Sequence, residues 1–146
     1  MVKQILGAVV AYIAMFICMF IAFTCFYLAM GADKVFTPGS YQVSILWIIL
    51  SFAVIFVCGS IGGFVASLIG GTGAVKFMAG VILVLNLMVI VYVAITGFPS
   101  EVRTADVPNT IAMSKAQTPL WALVIQMLVS IAGALVGGGL RKNKLT

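Results

Sequence analysis

The chain has 146 residues, 64% of them hydrophobic and 8% charged, with a net charge of +5 and no histidine. That balance excludes a water-soluble globular domain, which is ordinarily about 45–50% apolar and 25% charged. The missing histidine excludes histidine-ligated haem, pigment or metal within this chain, and no cofactor is expected.

Four stretches carry no charge: residues 5–30, 43–69, 77–97 and 120–140. A helix rises ~1.5 Å per residue, so ~20 apolar residues cross the ~30 Å hydrocarbon core of a bilayer. The expectation is an all-α, polytopic membrane protein: one four-transmembrane-helix bundle with short loops and no extramembrane domain.

The first stretch follows Lys3 as a signal peptide would, but it far exceeds the usual ~7–15-residue apolar region and is expected to be a retained span. Helical spacing divides it into two faces. Ala11, Ala14, Cys18, Ala22, Cys25 and Ala29 form a seam of small residues that should let a neighbouring helix approach. Tyr12, Phe16, Phe20, Phe23 and Tyr27 lie opposite and should meet lipid, or else another protein or an apolar ligand. Cys18, Cys25 and Cys58 all fall in spans and behave as small apolar residues, with no paired motif for metal or redox chemistry.

The following loop holds Thr37-Pro38-Gly39-Ser40, a turn composition ending in a residue suited to starting a helix. The second stretch then presents Gly59 and Gly63, continued by Ala66 and Gly70. This is a small-residue packing surface of the G-x-x-x-G kind, serving contacts within the bundle or between copies. A short glycine-rich connection, residues 70–76, should make the second and third spans an antiparallel hairpin. Its Gly70-Gly71-Thr72-Gly73 lacks the strand and the Lys-Ser/Thr of a phosphate-binding loop.

The third stretch carries Asn86 at its centre. The loop after it, residues 98–119, contains Pro99, Pro108 and Pro119, and a short interfacial helix fits between 109 and 117. Glu101, Arg103, Asp106 and Lys115 read as a solvated charge cluster. Thr118-Pro119 suits a helix start. The fourth stretch aligns Gln126, Ser130, Gly133 and Gly137 along one stripe. Trp47, Gly59 and Gly63 recur as Trp121, Gly133 and Gly137 at the same offsets, which suggests a duplicated helical hairpin.

Lys3, Lys76, Arg141, Lys142 and Lys144 flank one membrane face, while Lys34, Arg103, Lys115 and all three acids flank the other. The basic excess marks the cytoplasmic side, so both termini are expected there, in a bacterial inner membrane. The positive charge then faces anionic headgroups, and nucleic-acid binding is not implied.

No span contains Asp, Glu, Lys, Arg or His, which removes the titratable group that ion-coupled transport and proton relays use. A serine or cysteine nucleophile would have no base, so no enzyme activity and no catalytic residue is expected. Depth counting places Asn86, Ser130 and Ser60 near one level, where they could hydrogen-bond across helices, with Gln126, Ser51 and Thr24 as further intramembrane polar groups. The expected role is a non-catalytic accessory, structural or assembly subunit, partnered by lipid and by other membrane subunits or itself. The alternative is a small oligomeric channel or uniporter for a neutral or weakly charged solute.

Overall fold

The structure, a computed structural model, describes residues 1–98, 101–103 and 107–140. Pro99, Asp106 and the basic tail with Arg141, Lys142 and Lys144 lie outside the described residues. The fold is all-helical, in the order α1 (Val2–Met30), α2 (Ala32–Val35), α3 (Ile45–Thr96), α4 (Asn109–Lys115) and α5 (Leu120–Leu140). Three of these, α1, α3 and α5, are long and apolar enough to cross a membrane. Uninterrupted apolar sequence drives this, because only a helix satisfies every backbone donor and acceptor away from water.

The ends of the helices have local causes. α1 stops at Gly31, whose φ of 76° no ordinary helix residue adopts, and the Gly31 N–H closes on the Tyr27 carbonyl at 2.8 Å. The turn at Pro38-Gly39 forms, with Gly39 at φ 69°. The helix after it does not start at Ser40. Its cap is Ser44, whose Oγ accepts from the Trp47 N–H at 3.2 Å. Residues 40–43 are drawn into pairing with other loop segments first, and the helix begins only once that pairing ends.

The 52-residue α3 is interrupted at Gly71, with φ 67° and ψ −163°, a region essentially restricted to glycine. The chain folds back there. Gly62 and Met78 would stand about 24 Å apart along a straight helix. Instead the Met78 Cε lies 2.7 Å from where a Gly62 Cβ would be. The seven-residue connection expected at 70–76 is thus one residue long, and the rest of it is helical. Its other glycines serve close approach. A Cβ on Gly70 would sit 2.7 Å from the Lys3 carbonyl oxygen, and one on Gly73 would collide with the Gln4 side chain.

Two clusters form the core. The first joins Ala8, Ala11 and Met15 of α1 to Cys58 and Ala66, to Ala74, Met78 and Ile82, and to Ala134 of α5. The second lies at the opposite end, where Tyr27, Val35, Phe36, Tyr41, Val43 and Val107 pack beneath the long loops. Among the described residues, three isolated bridges tie those loops together: Phe36 with Val43, Ser40 with Val102, and Gln42 with Gln117. The Tyr27 hydroxyl locks the cap to α1 by donating to the Val107 carbonyl at 2.7 Å.

Candidate functional site

The repeated glycine motifs meet one another. A Cβ on Gly59 would lie 2.9 Å from the Ser130 carbonyl oxygen, and one on Gly133 would lie 2.6 Å from that of Phe56. Added Cβ atoms on Gly63 and Gly137 would overlap the carbonyl oxygens of Ala134 and Ser60. Contacts advance together along both helices, so residues 45–70 and α5 run parallel. Phe56 and Ser60 stand in the first motif where Ser130 and Ala134 stand in the second, so the contact is reciprocal. Backbones come this close only where side chains are absent.

Cys18 and Ala22 of α1 face the first core cluster, and the Cys18 Sγ lies 3.2 Å from that of Cys58. The small-residue seam does not continue to the C-terminal end of α1, however. Cys25 and Ala29 are exposed, while Tyr27 is buried. The buried face turns there toward the aromatic side, because the loop cap offers Tyr27 both a pocket and a carbonyl partner.

Between the helices lies a cavity of about 400 Å³. Tyr12, Phe16, Phe23 and Tyr27 of α1 all line it, so four of the five residues of the aromatic face border this space, Phe16 at its exposed edge. Phe20 remains half-exposed. Trp47, Met15 and Met19 extend the apolar wall, and Ser51, Asn86, Asn109, Thr118, Gln126 and Ser130 form the polar one. Phe16, Leu85 and Val89 line the cavity and are also exposed, which places its opening between α1 and the last part of α3.

The polar residues do not pair as depth counting from the cytoplasmic ends suggests. Asn86 donates Nδ2 to the Ile82 carbonyl of its own helix at 2.8 Å, and Ser60 donates to Phe56 in the same way. The interhelical bond is Gln126 Nε2 to Ser51 Oγ, at 3.1 Å. Ser51 stands six residues inside α3 and Gln126 six inside α5. Counting from the N-terminal ends of these two parallel segments would have found the pair. Asn109 was not legible as a site residue: it sits in a loop helix, yet reaches Thr24 of α1 with Nδ2 at 3.1 Å. Its Oδ1 is buried and has no partner among the described residues.

The loop charges are sorted, not merely solvated. Arg103 is buried, pairs with Asp33 at 2.9 Å and lies 5.8 Å from the centre of the Phe36 ring. Lys115 pairs with Glu101 at the surface, and that hydrogen bond raises the lysine above its ordinary pKa. No group of three or more potential metal-binding side chains occurs among the described residues. No protein-family description, no curated protein and no solved structure matches the chain.

Proposed function

We propose that this chain crosses the membrane four times and serves as a non-catalytic accessory subunit of a bacterial inner-membrane complex, with both termini cytoplasmic. The reversal at Gly71 supports the count, because it leaves two apolar segments of about 25 residues, each able to span at ~1.5 Å per residue. Lys3 and Lys76 then share the cytoplasmic side with the basic tail.

One observation carries the subunit reading. No residue from 83 to 96 is buried, although the earlier part of the same segment packs through Ala74, Val75, Met78 and Ile82. A helix whose outer half touches so little of its own chain offers a neighbouring subunit a continuous apolar face. A photo-crosslinking residue at Val91 should give a discrete protein adduct in native membranes, whereas one at Leu135 on α5 should give lipid adducts only. Lipid adducts alone at both positions would overturn the reading.

A second reading, a pore for a neutral solute in an oligomer, draws on Ser51, Asn86, Gln126 and Ser130 all bordering one cavity.

A further inference from the structure

The cavity has a chemistry that the subunit role does not use. Every described residue that lines it is uncharged. An anionic or cationic headgroup would find no counter-charge there, and its desolvation would go uncompensated. Aromatic and methionine side chains supply a broad apolar wall on the α1 side. Opposite them, the amides of Asn86 and Gln126 have each committed one N–H, and their oxygens have no partner among the described residues.

Asn109, at the edge of this wall, donates to Thr24, and its Oδ1 is closed off from the cavity. A hydroxyl group can meet the Asn86 and Gln126 amides in either orientation, since it both donates and accepts. A volume of about 400 Å³ lies in the ordinary range for small-ligand sites. The opening beside Phe16 and Val89 faces the hydrocarbon region, so a ligand would enter from the bilayer.

We propose that this cavity binds a neutral, hydroxyl-bearing amphiphile of the long-chain alcohol class. Its apolar body lies against Phe16, Phe23 and Trp47, and its hydroxyl lies on the polar wall that includes Asn86 and Gln126. The proposal shares Leu85 and Val89 with the face offered to a partner, but Val91 lies outside the cavity lining, so the crosslinking test and the test below fail separately.

Trp47 in the cavity wall provides the signal. The full chain carrying Trp121→Phe is placed in phosphatidylcholine nanodiscs and titrated with 11-bromo-1-undecanol, then with 1-bromoundecane, which has the same chain without the hydroxyl. If Trp121→Phe fails to fold, the native chain serves, with the half-exposed Trp121 adding a background that does not saturate. At equal concentration in the bilayer, the alcohol should quench Trp47 saturably and half-saturate about three- to tenfold lower, the range one hydrogen bond provides. Asn86→Leu and Gln126→Leu, each tested alone, should shrink that preference while leaving alkane quenching intact. Quenching that rises linearly with either probe would overturn the proposal. So would equal saturation by both, which would assign the cavity to hydrocarbon tails of the bilayer.

Discussion

A methyl group added at Gly63 would run into the Ala134 carbonyl oxygen and one at Gly137 into that of Ser60, whereas Gly80 and Gly139 have open space around them. Gly63→Ala and Gly137→Ala should therefore each destabilise the protein by about 1–3 kcal/mol, the usual range for overpacking. Gly80→Ala should be neutral or stabilising by up to ~1 kcal/mol, because alanine is the better helix former. Thermal unfolding in mild detergent ranks the three, and loss of stability confined to Gly80→Ala would refute the assigned contact. A second residue-scale test uses the thiols. Cys18 and Cys58, 3.2 Å apart, should form an internal disulfide under a membrane-permeant oxidant. Cys25, exposed on another part of α1, should remain alkylatable after the same treatment.

At the scale of elements, the decisive position is Gly71. Nothing lies within 4 Å of its missing Cβ, so any penalty for Gly71→Ala comes from its backbone conformation alone. That penalty should be about 1–3 kcal/mol, the cost of holding an L-residue in a glycine-only region. Thermal unfolding would show it as a lower midpoint, and an unchanged midpoint would mean that the reversal does not depend on this conformation. The loop cap offers a parallel case. Tyr27→Phe removes the donor to Val107 while keeping the ring, so the cap should open more readily, by about 1 kcal/mol. Faster amide exchange at Ala112, whose N–H closes on the Pro108 carbonyl, with exchange at Ala66 unchanged, would register that local opening.

For the whole molecule, the proposed topology makes a labelling prediction. In a background lacking the three native cysteines, cysteines at Ser40 and Ser114 should react with an impermeant reagent added to intact cells, and one at Asn143 should not. Reaction at Asn143 would reverse the orientation. Asn86→Leu separates the subunit from the pore. As a packing residue it should be nearly silent, since Asn86 bonds within its own helix and leucine is at home in hydrocarbon. In a pore the same change should abolish solute-driven swelling of proteoliposomes without unfolding the protein. Robust flux from the native chain that Asn86→Leu loses would displace the subunit reading.

Charge-free runs of helical length are enough to dictate long apolar helices, because a bilayer or a dry core leaves the backbone no other partner. The residues of closest approach were also legible: Gly59, Gly63, Gly133 and Gly137 repeat at helical spacing, and absence of a side chain is itself the signal. What one helix's periodicity cannot contain is the identity of its neighbour. The seam and the aromatic face of α1 are both consistent with burial, and only the cap over Tyr27 decides which is buried at each depth. The glycines at 70–73 look like loop residues, yet just one takes a loop conformation while Gly70 and Gly73 keep room for α1. Asn86 and Ser60 satisfied themselves within their own helices, a local option always open to such side chains. The Ser51–Gln126 bond depended instead on two distant segments being parallel and level. The cavity is likewise a property of the assembled helices: its lining comes from α1, both parts of α3, α4 and α5, which no single element encodes.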